Sequence, residues 1–544
     1  MDFQLTNPRH SYALRSQRNL DGTVLRGDTT VPFPIEDAVN STSSVQTFLP
    51  SVLPKSFSTL TFWSHFLKSS PLPKNDKRLN PIFYRLAYIH DLVGQMELEG
   101  LVSGYLATTT YGIGKPIRFV EGTYTHAKTL ADSLPSTRIQ DVILRIEAET
   151  RDQSESDLWR LLRRGLATAS TMRWGPYGPV YPPQWCELST NARPIPDNPA
   201  MAFGRTNEPM VRALIETLYI PPIEVPKNEE TRTEDPMFYI FEESPKRERG
   251  EAYSCGLLID IRTGVVGASL DMLVCARDDL GRLKPSNSQT TLDFFEIKCR
   301  AKYLFSPESS SPPSIAYENL LKYRSAASLR RFIRSIKNPC VEYFEPNKAP
   351  SSTEALTTCN SAWRPRLVAE TNRRCGDFDK QHLCLNLDTS SDVWLFSEPD
   401  LERGVITPVC WDTGDLTLST PIFANPRHAN FKQILVQSYV LSGHFPHRRL
   451  RAFLVTYIGR HRRIGEAGKT FTILDRPGSR SYNLHETVPS TCAIPVLLIV
   501  TPVIVDHEET WADIETCSLE AFNTTADTIW DRNSPVHGVG KIIS

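Results

Sequence analysis

At 544 residues, with 40% hydrophobic and 23% charged residues and a formal net charge of −1, the chain is too long for one ordinary domain and too apolar for a disordered one. Eleven scattered cysteines without a C-x-x-C pair argue against a zinc ribbon or a disulfide framework, and the balanced charge decides nothing about a polyanionic partner. The start, MDFQLTNPRHSY, lacks the basic-then-apolar run of a secretory signal, and no apolar run approaches the roughly 20 residues of a bilayer span, so an intracellular chain without a membrane partner is expected.

In chain order, residues 1–75 mix Pro, Ser, Thr and charge without sustained periodicity and are expected to form a mobile tail. A main domain is expected over 76–505, opening with a helical elaboration after Pro81, where Leu86, Ile89, Leu92, Val93 and Met96 recur at helical spacing. Ser154 to Asp157 is a candidate capping box for a helix with Leu158, Leu161 and Leu162 on one face and Arg160, Arg163 and Arg164 away from it. Such arginines are usually a solvated face, yet Arg163 with the Thr168-Ala169-Ser170 turn could cradle a phosphate. Asn207 is placed to cap a helix striped by Met210, Leu214 and Leu218, setting Glu208 in its first turn, where the helix dipole favours an acid.

Residues 225–250 and 306–314, dense in Pro, Ser or charge, read as surface insertions. Between them CGLLIDI, the turn Arg262-Thr263-Gly264, GASLDMLVCAR and TLDFFEIKCR predict an antiparallel meander. A second basic helix, KYRSAASLRRFIRSIKN, carries Lys322, Arg324, Arg330, Arg331, Arg334 and Lys337, and a third basic patch, HRRLR with RHRR, spans His447 to Arg463. Such clusters on a balanced body suit a nucleic-acid backbone, with scattered surface charge an equally weighted alternative. Pro495 to Val505 reads as a buried strand, and 506–544 as a C-terminal extension. Helices alternating with short strands predict a mixed α/β sheet covered by helices.

The chemistry concentrates in TLDFFEIKCR. Alternation puts Glu296 and Lys298 on one face and Phe295 and Ile297 on the other. Charges inside an apolar strand are costly unless compensated, and a bound metal would compensate them. Asp271, among Leu270, Met272, Leu273 and Val274, brings a second carboxylate from the preceding strand. Converging carboxylates make the hard oxygen site that magnesium prefers, and magnesium makes phosphodiester hydrolysis feasible, with Lys298 orienting the nucleophile and offsetting developing charge. E-x-K alone is so short that a structural ion pair is its commoner explanation, and Asp271 narrows that margin without closing it.

Four motifs in order carry more weight than any one: W-x-x-x-R-x-G-x-x-T-A-S at Trp159 to Ser170, G-x-x-x-E at Gly204 to Glu208, S-x-D at Ser269 to Asp271, and E-x-K-C at Glu296 to Cys299. Together they resemble the lambda-exonuclease branch of the PD-(D/E)xK nucleases. The surrounding TMRWGPYGP, FGRTNEP, GASLDML and FFEIKCRAKYLF are similar to the herpesvirus alkaline nucleases, most of all the alphaherpesvirus form, over roughly residues 80 to 505.

The resemblance implies an α/β fold with a PD-(D/E)xK, restriction-endonuclease-like core, a mixed central sheet flanked by helices. It implies that Asp271, Glu296 and the main-chain oxygen of Ile297 ligate magnesium, with manganese able to substitute. Glu208 would hold a metal-bound water or a second ion, and Lys298 would be the catalytic lysine. Arg163 and Ser170 would form the pocket for a 5′-phosphate, while Ser269, Arg300 and a glutamine of FKQILVQSYVLSG, Gln437 ahead of Gln433, would support the DNA around the site. Leu270 stands where the family's name-giving proline often sits, which touches only local strand geometry. The implied activity is a 5′ to 3′ DNA exonuclease with some endonuclease activity and an alkaline optimum. Its expected setting is the host nucleus, extending to the cytoplasm, where it would process viral replication and recombination intermediates before packaging with the viral single-stranded DNA-binding protein as partner. Two rivals stand beside it: RNA cleavage for host shutoff, as in gammaherpesvirus relatives, and a non-catalytic DNA-binding recombination accessory.

Overall fold

Two long apolar strands, Arg449–Arg460 and Ile494–Val503, lie side by side at the centre of the molecule and set its architecture. The computed structural model describes stretches of residues 140–180 and residues 198–220, 251–284, 291–336, 341–359, 376–474, 486–505 and 509–520, with short gaps. The tail over 1–75, the helix after Pro81, the insertion at 225–250, Asp157, Arg160, Arg164, Lys337 and residues 521–544 lie outside the described residues.

The framing elements are β1 (Ala167–Thr168), α1 (Pro199–Leu218), β2 (Glu251–Tyr253), β3 (Leu258–Ile259), β4 (Val266–Ala268), β5 (Met272–Cys275), β6 (Thr291–Cys299), α2 (Pro312–Tyr323), α3 (Ala326–Ser335), α4 (Asp377–Asn386), β7 (Ser391–Phe396), β8 (Pro408–Val409), β9 (Thr417–Thr420), α5 (Ala429–His444), β10 (Arg449–Arg460) and β11 (Ile494–Val503). The main sheet runs β8–β7–β11–β10–β6–β5–β2, with β9 also on β7. It is mixed, β6 being parallel to β10 and antiparallel to β5. Only Pro502 of β11 escapes full burial, as expected of a strand covered on both faces.

Helix α1 covers one face, where Met210, Val211, Leu214 and Ile215 pack with Phe295, Ile297, Phe453 and Val455. Helix α5 covers the other, where Ile434, Leu435 and Tyr439 join the core of Leu292, Phe294 and Leu454. Each such buried side chain contributes roughly 1.5–3 kcal/mol, so the two apolar layers hold β6 rigidly between them.

Several expectations need correction. The single meander is two hairpins in two sheets: β3 and β4 pair with each other and β4 pairs with β1, whereas β5 belongs to the main sheet. The chain crosses between them at Ser269-Leu270-Asp271, so Asp271 sits at a bend just before β5 rather than within a strand. Asn207 does not cap a helix. Asn198 does, its side chain accepting from Met201 N at 2.8 Å with Pro199 following, and Asn207 and Glu208 lie in the helix interior before an internal Pro209. The second basic segment is two helices. Arg324 terminates α2 in the left-handed region at φ 48°, and a Ser325–Ser328 capping box restarts the chain as α3.

The supposed insertion at 306–314 is a short loop that runs into the first turn of α2. Packing also continues past residue 505, because residues 509–518 are helical and Ile514 joins the main core.

Candidate active site

Antiparallel pairing sets Met272 opposite Phe295, and continuing that register by one residue sets Asp271 opposite Glu296. Facing like charges across a sheet is destabilising, so this rung must be held by its neighbours. The Ile297 amide donates to Asp271 Oδ2 at 2.8 Å, and Gln437 Nε2, reaching down from α5, donates to Glu296 Oε2 at 2.6 Å. Lys298, two residues along the same strand face, donates to Glu296 Oε1 and lies 4.0 Å from Asp271 Oδ2. Glu296 and Gln437 are fully buried.

Glu208 comes from α1, on the opposite face of the sheet. Arg212, one turn later, pairs with Glu208 Oε1 at 3.1 Å and donates to the main-chain oxygen of Asp271 at 3.2 Å. Burial first, and then the Asp271 carboxylate, push Glu208 up to about 7 against the pull of Arg212 and Lys298. Burial and then Asp271 push Glu296 up to about 7 as well, against Lys298 and Gln437. Asp271 is thus the charge that both glutamates feel. Burial lowers the Lys298 ammonium, but Glu296 and Asp271 outweigh it and hold Lys298 above its usual range.

The crossing that carries Asp271 is anchored at every carbonyl. Gln437 Nε2 reaches Ser269 O at 3.4 Å, Cys255 N and Gln153 Nε2 both donate to Leu270 O at 3.1 Å, and Arg212 takes Asp271 O. Gln153 and Arg212 were not singled out in the sequence. Arg212 had a legible signal in its i,i+4 spacing from Glu208, whereas Gln153 contacts residues more than a hundred positions away and had none.

Beside the crossing, Trp159 Nε1 donates to Ser269 Oγ at 2.8 Å, and the Arg163 guanidinium stacks over the Trp159 ring at 4.0 Å. Arg163 also donates to Thr168 Oγ1 at 3.2 Å and Ser170 Oγ at 3.1 Å. Burial pulls Arg163 down to about 10, with no carboxylate offsetting it. A half-buried guanidinium whose partners are hydroxyls has the chemistry of an anion receptor. Arg300 stands apart from the carboxylates, exposed at the end of β6 and bound to Asn430 Oδ1 at 3.0 Å.

The third basic patch does not exist as a patch. Its two halves flank opposite ends of β10, a strand of 12 residues, roughly 35 Å apart at strand rise. Arg460 is fully buried against Glu398 and Glu466, and Arg462 donates to the main-chain oxygens of Glu466, Lys469, Pro489 and Cys492.

The donor set fits an open divalent site. Carboxylate oxygens of Asp271 and Glu296, the Ile297 main-chain oxygen and Glu208 are hard ligands, and Gln437 Oε1 is buried without a donor beside them. Among the described residues no three acidic, His or Cys side chains close on one point, so a cage made wholly of protein side chains does not fit. Magnesium does not require one, since it takes one or two carboxylates and completes its octahedron with water and phosphate. No helix among the described residues is long and apolar enough to cross a membrane.

The model of the viral alkaline exonuclease family matches residues 39–538. The alkaline nuclease of equine herpesvirus 1 (strain Ab4p) is 64% identical over 90% of this chain and 86% of its own length. That of varicella-zoster virus (strain Dumas) is 41% identical over 88% and 89%. Among solved structures, the shutoff and exonuclease protein from Kaposi's sarcoma-associated herpesvirus superposes with a TM-score of 0.60 at 20% identity, covering 92% of this chain and 94% of that one. A SOX–DNA complex and a KSHV SOX–RNA complex give TM-scores of 0.59 and 0.56, at 19% and 21% identity, over 93% and 88% of this chain and 95% and 93% of theirs. At that identity the likeness establishes the fold, a PD-(D/E)xK-type mixed sheet with flanking helices.

Proposed function

The chain belongs to the viral alkaline exonuclease family and is a nuclease, a phosphodiester hydrolase; from that premise we propose a magnesium-dependent deoxyribonuclease that digests duplex DNA from 5′ ends and also cuts internally. The observation that carries the reading is the buried Asp271–Glu296 rung with Lys298 and Gln437 on it, an arrangement whose electrostatic cost a divalent cation would offset.

Asp271, Glu296 and the Ile297 main-chain oxygen would hold the ion, and Glu208, kept in place by Arg212, would orient a water or support a second ion. The bound ion, magnesium or manganese, would supply charge stabilisation at the scissile phosphate and lower the pKa of the attacking water. Lys298 orients that water and offsets charge developing on the phosphate. Arg163 and Ser170, with Thr168 beside them, receive a 5′-phosphate, while Trp159 ties that pocket to Ser269 two residues before Asp271. Registering the chain end in the pocket fixes which phosphodiester meets the carboxylates, and Arg300 and Gln437 support the DNA on the far side of the site.

SOX has been captured with both DNA and RNA. The hydroxyl-and-arginine pocket favours a substrate with a phosphorylated end, which supports DNA ends as the working substrate here. The proposed setting is the host nucleus, with activity reaching the cytoplasm, on viral replication and recombination intermediates before packaging and in partnership with the viral single-stranded DNA-binding protein.

Cleavage of a 5′-phosphorylated duplex should require magnesium and stop with chelator. Lys298→Ala or Asp271→Asn should abolish it while DNA binding in calcium persists; full cutting by either variant rejects the site. Arg163→Ala should lose the preference for 5′-phosphate over 5′-hydroxyl ends, and an unchanged preference removes Arg163 from the pocket. Matched DNA and messenger RNA digestion in the same assay would shift the reading to host shutoff if RNA were cut faster.

A further inference from the structure

The second basic segment plays no part in the site above. Between Glu318 and Glu342 the sequence holds no acid, yet it carries Lys322, Arg324, Arg330, Arg331, Arg334 and Lys337 in a chain of net charge −1. Helix α3 buries Leu329, Phe332 and Ile333, with Phe332 5.5 Å from the Phe305 ring and 6.1 Å from that of Tyr317. Its other face exposes Arg330, Arg331 and Arg334, spaced i, i+1 and i+4 along one side. Lys322 and Arg324 continue that exposed charge at the α2–α3 junction.

Exposed aromatic rings stand among these cations. Lys322 lies 5.3 Å from the Tyr323 ring, 54% exposed, and Arg334 lies 5.4 Å from the Tyr343 ring, 36% exposed. None of the three α3 arginines pairs with a carboxylate of the described residues. Single-sign charge on one face repels itself and attracts a polyanion. The location matters too. Arg300 closes the strand that bears Glu296 and Lys298, and Phe305, five residues on, docks the α2–α3 pair through Tyr317 and Phe332.

We propose that the exposed face of α2–α3 is a second contact track for duplex DNA, outside the catalytic pocket, that grips phosphates without reading sequence. The inference rests on the deoxyribonuclease reading and deepens it. Duplex DNA presents one negative charge per about 1.7 Å of axis, so a row of unpaired arginines on a rigid helix suits it. An anionic membrane is a poorer match, because the apolar side of α3 is spent in the core and cannot enter a bilayer.

The test compares the full chain with its Arg330→Glu/Arg331→Glu/Arg334→Glu variant, and with the milder triple Gln variant in case reversal disturbs folding. Binding is measured in calcium to a short duplex and to one several times longer, across a salt series. The long-to-short affinity ratio should fall roughly tenfold, and the slope of log K against log salt should drop by about 2–3, near 0.9 per phosphate released. Replacing Arg403 and Lys469, exposed elsewhere, should leave both readings alone. An unchanged slope and ratio in a triple variant overturns the track, as does loss of binding to phosphatidylserine vesicles with DNA binding intact. Magnesium-dependent cleavage by the unmodified chain in the same samples separates the two levels: if it neither binds nor cuts DNA, the nuclease reading itself fails.

Discussion

Placing two carboxylates on one rung of a buried sheet is unfavourable for folding, and that tension should be measurable without any substrate. Glu208 and Glu296 are both raised to about 7 by burial and then by Asp271. A carboxyl whose folded pKa lies above its unfolded value near 4.5 stabilises the fold most at low pH and loses that contribution as pH rises through the folded value. In chelator, the melting temperature should therefore fall between about pH 5 and pH 8, and magnesium should restore it at the alkaline end. A melting curve indifferent to pH over that window, or to magnesium at its upper end, would contradict the electrostatics of the site. Removing Gln437, whose hydrogen bond favours the Glu296 carboxylate, should move the acid limb of the pH–rate profile to higher pH. Glu296 and Lys298 were legible because strand alternation is strict, and Gln437 because the family motif offered two glutamines one turn apart. The rung itself was not legible, since it depends on a register fixed only by β5 meeting β6.

The helix α1 shows why local signals mislead about elements. Asn-Glu-Pro at 207–209 resembles a helix start, yet the helix runs through it because the residues around it are buried on the sheet. Asn207 instead ties the helix to the strand beyond, Nδ2 donating to Phe203 O at 2.8 Å and Oδ1 accepting from Ala493 N at 2.9 Å. Asn207→Ala leaves a buried amide unpaired and should cost about 1–3 kcal/mol, read as a lower urea midpoint. Asn207→Asp keeps the acceptor for Ala493 and should lose less. A midpoint that ignores both changes would show that this link bears no strain. The meander failed for a similar reason: nothing in GASLDMLV marks the bend at Ser269–Asp271, because its carbonyls are satisfied by side chains from three distant elements.

At the scale of the molecule, the sheet, its covering helices and the buried strand at 495–505 were legible from periodicity, whereas the distribution of positive charge was not. Arg460 looked like part of a basic surface because Glu398 and Glu466 neutralise it only after folding. Arg460→Ala would strand two carboxylates and should cost about 3–5 kcal/mol, lowering the melting temperature without altering the salt dependence of DNA binding. A changed slope with unchanged stability would return Arg460 to the DNA surface. The account as a whole rests on one ion meeting side chains from α1, the 269–271 crossing and β6. Manganese binding followed by electron paramagnetic resonance tests this without relying on turnover. Wild type should bind manganese, and Asp271→Asn and Glu296→Gln should each lose it while keeping a cooperative melt; manganese bound equally well by either variant would contradict the site.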